Sequence, residues 1–309
     1  MNQEKFNYFI NRFEEESINI HYLGIKTKDD IFIHQFKKQA TKSDCRSLSK
    51  TVLSLITGII IDNSEVLNID TKVWPTIENV TTLKNMDNLP YLEQLEIKHL
   101  MNHTIGFDQV LMMRQDIKDK DPFTLIDTII NTPIIYKPGE HYLYSNAGYY
   151  LLSVFLQEYY QEDLLQVSDQ LFFKPLGIKD YTWEKYGNYL AGATRLWLKP
   201  EDLIKIGDEL INKTLITQDW LDYLTTLSAV TLKVYYPENT IFNRYGYGNG
   251  LWLNDKGHYF GHGTGGQSLG VLEKEKAIVI TMADQRNVRV LESIVNEIFE
   301  TLLSKQIKE

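Results

Sequence analysis

Apolar residues recur at helical spacing in residues 2–16, where Phe6, Phe9, Ile10 and Phe13 share one side of a polar segment. Ile18 to Ile25 and Ile31 to Phe36 read as two strands joined by the turn-like Lys28-Asp29-Asp30. Helical patterns follow at 47–62, 95–102, 123–132, 146–160, 164–172, 200–212 and 217–226. Turns interrupt them at Pro90, Lys137-Pro138-Gly139 and Pro175-Leu176-Gly177. Strand signals return at Gly248 to Leu253, His258 to Phe260, Leu269 to Glu273 and Ala277 to Met282. A closing helix, Arg289 to Leu303, carries Val290, Ile294, Ile298, Leu302 and Leu303 on one side.

Strands at both ends and helices between them predict an α+β fold. Short connections favour antiparallel hairpins. The N-terminal strands complete a sheet begun by the C-terminal ones, the terminal helices lie on one face, and an all-helical region is inserted. Residues 1–309 then form a single domain, with 1–37 plus 240–309 as an α/β lobe and 38–239 as a mainly helical lobe.

The composition fits a globular chain: 309 residues, 43% hydrophobic and 24% charged. Its 32 basic and 41 acidic residues leave a net charge of −9 and argue against a nucleic-acid partner, which needs a basic face. A single cysteine, Cys45, excludes an intramolecular disulfide framework and a zinc site built from several thiolates. The N-terminus lacks a basic then apolar leader pattern, and the longest apolar stretch, Val52 to Ile61, is too short to span a bilayer. A cytoplasmic location without an integral membrane segment is the expectation.

Ser47-Leu48-Ser49-Lys50 opens an apolar helix, and residues three apart share a helical face. A serine hydroxyl is a weak nucleophile until a base takes its proton. A desolvated lysine can be that base, since burial disfavours its charged form. The helix N-terminus favours developing negative charge. An N-cap serine followed by a solvated lysine fits the same letters. Tyr144-Ser145-Asn146 offers a phenol able to shuttle a proton and an amide with both donor and acceptor, or simply a helix start. Gly261-His262-Gly263-Thr264-Gly265-Gly266 would let a substrate approach the backbone closely, or would form a tight hairpin turn.

In this order the three segments resemble the serine β-lactamases and penicillin-binding proteins, most of all the class C β-lactamases and their esterase and D-peptidase relatives. Leu100-Met101-Asn102-His103-Thr104-Ile105-Gly106 resembles the family's Leu-Leu-x-His-Thr-Ser-Gly element, with Ile105 in place of serine. Lys137-Pro138-Gly139 and Lys174-Pro175-Leu176-Gly177-Ile178 also match, so the likeness covers roughly residues 18–300. It implies a β-lactamase/transpeptidase-like fold and an acyl-enzyme mechanism without metal or organic cofactor. Ser47 would be the nucleophile, with Lys50 and Tyr144 sharing the proton transfers. Asn146 would hold Lys50 and the amide side of a small carbonyl substrate. His262, with Gly263, Thr264 and Gly265, would line the substrate, with oxyanion donors at the Ser47 and Gly265 N–H groups. Two departures bear on this. His262 replaces the usual lysine, which weakens the fixed charge for a β-lactam carboxylate. The order His262-Gly263-Thr264 also leaves the register of the second oxyanion donor open by one residue. An ester or small amide hydrolase is the first reading. A D-alanyl peptidase or β-lactamase and a non-catalytic binding relative are the alternatives.

Other patterns compete for attention. Gly266-Gln267-Ser268-Leu269-Gly270 matches a nucleophile elbow but is followed by strand, and no histidine lies after it. Gly261-x-Gly263-x-x-Gly266 matches a dinucleotide fingerprint but opens no helix. His99 and His103 have the spacing of a zinc helix, but Leu100 stands where a metalloprotease has glutamate, and His258 with His262 lacks a carboxylate partner. Cys45 is either a reactive thiol near the site or a buried bystander. Tyr235-Tyr236-Pro237 and Tyr245-Gly246-Tyr247 would line a pocket or pack as core and loop.

Overall fold

The computed structural model describes residues 1–38, 41–231 and 244–304. In chain order its principal elements begin with helix α1 (Gln3–Glu15), strands β1 (Ile20–Lys26) and β2 (Ile31–Gln35), and helix α2 (Leu48–Asp62). Helices α3 (Ile97–Met101), α4 (Ala147–Tyr160) and α5 (Pro200–Asn212) follow. Strands β3 (Ala229–Val230), β4 (Gly246–Tyr247), β5 (Trp252–Leu253), β6 (Tyr259–Gly263), β7 (Gln267–Leu272) and β8 (Ala277–Ala283) lead to helix α6 (Arg289–Leu303). No helix among the described residues is long and apolar enough to cross a membrane.

The chain divides into two compact units. The first comprises Met1–Thr51, Asp180–Thr182 and Leu196–Glu309. Its centre is an eight-stranded sheet in the order β2-β1-β8-β7-β6-β5-β4-β3. The strand from the N-terminus therefore pairs with the last strand of the chain, with Gly24 opposite Ile280, as the strand signals at both ends predict. Every adjoining pair with a resolved register is antiparallel.

Successive residues of a strand point to opposite faces, and this decides what each helix covers. Ile278 and Ile280 of β8 face α5. A Cβ on Gly207 would lie 2.8 Å from Ile278, and one on Gly24 would lie 2.6 Å from Ile280 and 3.5 Å from Ile204. Lys26 closes that contact with a 2.5 Å ion pair to Asp208. Thr281 faces the other way with Ser268, and α1 and α6 cover that side, joined by Arg12 and Glu297 at 3.2 Å. The helix at 200–212, expected in the helical lobe, thus belongs to the sheet, because its apolar stripe is buried on β8, β1 and β7.

The second unit comprises Val52–Lys179 and Trp183–Arg195. Its centre is α4, whose residues Ala147–Leu156 are all buried. Tyr149 Oη lies 2.9 Å from Ser54 Oγ and donates to the Met101 carbonyl at 3.0 Å. The unit also holds a two-stranded ladder, Lys185–Tyr186 with Tyr189–Leu190, so it is not all helix. The Tyr235-Tyr236-Pro237 stretch lies outside the described residues, whereas Tyr247 is buried and its ring meets Trp252 edge-on at 5.0 Å.

Gly148 lets α4 pass the α3 backbone, since a Cβ there would sit 2.4 Å from the Leu100 carbonyl oxygen. Gly148→Ala forces backbone to move and should cost about 1–3 kcal/mol. Thermal unfolding should show a midpoint several degrees lower, and an unchanged midpoint would contradict the packing.

Candidate active site

Ser47 stands immediately before α2 and is half-buried. Two turns of hydrogen bonding set it there: Leu48 N–H donates to the Cys45 carbonyl at 3.0 Å and Lys50 N–H to the Ser47 carbonyl at 3.1 Å. The Ser47 N–H itself has no hydrogen-bond partner among the described residues. No acidic side chain lies in the first turn of α2, so none there offsets the positive end of the helix dipole.

Lys50 Nζ lies 3.2 Å from Ser47 Oγ. The helix that carries the pair is apolar nearly all round: Leu48, Val52, Leu53, Leu55, Ile56 and Ile60 are fully buried. Such a helix is enclosed, and its charged residue is enclosed with it. Lys50 is 1% exposed, and burial brings its pKa down to about 7. The seryl hydroxyl is thus in reach of a lysine that is substantially neutral near neutral pH.

The same unit brings β6 against the start of α2. A Cβ on Gly261 would fall 2.2 Å from Leu48, and one on Gly263 would fall 2.7 Å from the Cys45 carbonyl oxygen. Only glycine permits this approach. Gly261 and Gly263 therefore face α2, and the alternation turns His262 to the opposite face. There His262 is buried, with Nε2 3.0 Å from a carboxylate oxygen of Glu292 on α6. Glu292 also pairs with Arg244 at 3.2 Å, whose guanidinium lies over the Trp252 ring. Burial first, and Arg244 next, lower the His262 pKa. The expectation that the His262 ring lines the substrate gives way to this: its ring is on the wrong face of the strand and is engaged by Glu292.

After β6 the chain turns at Gly263–Gly266, with Gly266 N–H donating to the Gly263 carbonyl at 3.3 Å. Gly265 sits at φ +116° and Gly266 at φ +93°, which account for glycine at both positions. The Gly265 N–H has no partner among the described residues. Gln267, behind the turn, donates from Nε2 to the Ala283 carbonyl at 2.6 Å.

Tyr144 and Asn146 lie in the second unit. The Tyr144 ring packs on His103, 4.4 Å between centroids. His103 is buried at φ +61° and packs against Tyr149 as well, which gives it a structural place. Asn146 precedes α4 and donates from Nδ2 to the Met112 carbonyl at 3.0 Å. Ser145, not Asn146, bonds the start of the helix: its Oγ accepts from Ala147 N–H at 3.2 Å and donates to the Leu111 carbonyl at 2.8 Å.

The competing patterns resolve into structure. Ser268 lies in strand β7 with its Oγ 2.7 Å from Thr281 Oγ1, so no elbow exists there. His99 Nδ1 accepts from the Glu96 N–H at 3.0 Å, and burial holds its pKa down near 4. Cys45 is fully buried and its thiol pKa is raised by burial, so it is the bystander. Sequence reasoning passed over Arg46, Asp284 and Glu292. An arginine directly before the seryl candidate was the one available signal.

A sequence model of the family described as Beta-lactamase matches residues 38–295. No curated protein matches the chain. Among solved structures, a D-amino acid amidase from Ochrobactrum anthropi SV3, complexed with L-phenylalanine amide, aligns at TM-score 0.74 and 15% identity, over 98% of this chain and 100% of that one. A D-stereospecific amidohydrolase from a Streptomyces species aligns at 0.71 and 16%, over 93% and 97%. An octameric penicillin-binding protein homologue from Pyrococcus abyssi aligns at 0.71 and 16%, over 98% and 78%. At such identities the likeness is one of fold.

Lys50 makes stability depend on pH. Its folded pKa, about 7, lies below the ordinary 10.5, so between these values the unfolded chain binds more protons and stability rises with pH. The increment is at most about 1.4 kcal/mol per pH unit for one proton. Denaturant unfolding of wild type and Lys50→Met should show the wild type gaining on the variant from pH 7 to 10. A constant difference would mean that Lys50 titrates normally.

Proposed function

The chain belongs to the beta-lactamase family of serine hydrolases, and on that premise we propose that it hydrolyses an ester or small amide through an acyl-enzyme on Ser47. The observation that carries this reading is the buried Lys50 amine 3.2 Å from the Ser47 hydroxyl. Neutral Lys50 takes the hydroxyl proton as Ser47 Oγ forms its bond to the substrate carbonyl carbon. The carbonyl oxygen becomes an oxyanion, which the Ser47 and Gly265 N–H groups and the α2 dipole stabilise. The C–O or C–N bond then breaks, and the leaving group takes a proton delivered by way of Tyr144. Water, deprotonated by the same base, hydrolyses the acyl-enzyme and frees Ser47. Tyr144 and Asn146 enter through the family resemblance. No metal or organic cofactor has a step in this sequence.

The face of β6 turned to α2 favours a neutral substrate. It offers Gly261 and Gly263, and the one basic side chain of the motif, His262, is on the other face with Glu292. A carboxylate-bearing β-lactam or D-alanyl peptide finds no counter-charge from this strand. The structural neighbours named as amidases agree with a small amide among the substrates.

The test is intact-mass detection of an acyl adduct across p-nitrophenyl esters, D-amino acid amides and penicillin. Ser47 should acylate with the esters, with kcat/KM rising through a limb near pH 7. Ser47→Ala should form no adduct, and Lys50→Met should lose roughly three orders of magnitude or more. A fast penicillin adduct that hydrolyses readily would replace the esterase or amidase reading with a β-lactamase. Labelling that persists in Ser47→Ala would remove the assigned nucleophile.

A further inference from the structure

We propose that Arg46 is a positioning residue for the oxyanion site: its guanidinium, anchored on Asp284, sets the orientation of the Thr264–Gly265 peptide and hence the direction of the Gly265 N–H. The inference rests on the reading of Ser47 as nucleophile.

Arg46 directly precedes Ser47 and stands at φ +48°, a region non-glycine residues enter only with strain. Asp44 supports that conformation, its side chain accepting from the Arg46 N–H at 2.8 Å. The side chain then reaches the turn after β6. One guanidinium nitrogen donates to the Thr264 carbonyl and the other to the Asp284 carboxylate at 2.5 Å. The planar fork ties these two points together, which a lysine ammonium cannot do in the same way.

The geometry of the turn makes the Thr264 carbonyl decisive. In a four-residue turn the central peptide is the one whose flip converts one turn type to another. That peptide joins Thr264 to Gly265. Because a peptide is planar and trans, its C=O and N–H point in opposite directions, so holding one fixes the other. Arg46 holds the Thr264 carbonyl, and the Gln285 N–H holds the next one, Gly265, at 3.0 Å. The Gly265 N–H between them is left without a partner among the described residues, as is the Ser47 N–H. Gly265 also has to be glycine for the guanidinium to lie this close, since a Cβ would be 2.7 Å from it. One residue therefore couples the backbone entering the nucleophile to the backbone of the second donor. The Arg46–Asp284 pair is partly solvent-exposed, so its worth here is orientation more than stability.

Arg46→Gly, Arg46→Lys and Asp284→Asn test this. Arg46→Gly suits the positive φ, so the backbone is relaxed while the guanidinium is lost. Its thermal midpoint should stay near wild type. With a p-nitrophenyl ester, kcat should fall about tenfold to a hundredfold while KM changes little, and fluorophosphonate labelling of Ser47 should slow to match. The limb near pH 7 should stay in place, because Lys50 is untouched. Millimolar guanidinium should restore part of the loss in Arg46→Gly, and Asp284→Asn should show a smaller loss of the same kind. Labelling within about twofold of wild type overturns the proposal, as does a raised KM at unchanged kcat, which would make Arg46 a substrate contact. A readout independent of activity separates this proposal from the hydrolase reading. The residual dipolar coupling of the Gly265 N–H should change in Arg46→Gly while that of Gly270 does not. If wild type fails to label yet the coupling changes, the function falls and the positioning stands. An unchanged coupling removes the positioning whatever the labelling shows.

Discussion

Burying an ammonium group is among the costliest things a fold can do, and α2 carries one into the core. Leu48, Val52, Leu53, Leu55 and Ile56 are fully buried along this helix, and Lys50 is buried too. Losing the proton is the cheapest relief, so the lysine pKa falls to about 7. Burial thus leaves a lysine of lowered pKa 3.2 Å from a hydroxyl at the start of a helix. The apolar run first identifies a core helix. In the fold it also lowers the pKa of Lys50.

The sheet contributes by what it leaves out. Gly261 and Gly263 turn no side chain toward α2, so the strand backbone closes on the helix start. The residues with chemistry on that strand point away. His262 and Glu292 are buried and pair with each other, and Arg244 pairs with Glu292, which fastens the strand to the terminal helix. The face of β6 turned to α2 thereby carries no charged side chain of the strand itself.

Much of the fold was legible because the signals were long. Strands of five to seven residues at each terminus are long enough to be found, and β1 lies between β2 and β8 in the sheet. The strands β3 and β4 have two residues each and no period to read. Helix α5 was visible as a helix, but periodicity gives a stripe and not the surface it meets, so its place on the sheet was missed. The candidate site shows the same divide. Helical spacing puts Ser47 and Lys50 on one face, and the resemblance to the serine β-lactamases singles them out. The face taken by His262 depends on a register of one residue amid glycines, and one residue is the whole difference between the two faces of a strand. The backbone of Arg46, at φ +48° without a glycine, leaves no mark in the sequence.

Burial in α2 brings the Lys50 amine to a pKa of about 7, and direct titration of that amine is the test. With 13C-labelled lysine, the Cε resonance of Lys50, assigned by its loss in Lys50→Met, can be followed from pH 5 to 11. A midpoint near 7, apart from the other lysines, is the predicted result. A midpoint above 10 would show a charged, solvated Lys50 and contradict the account.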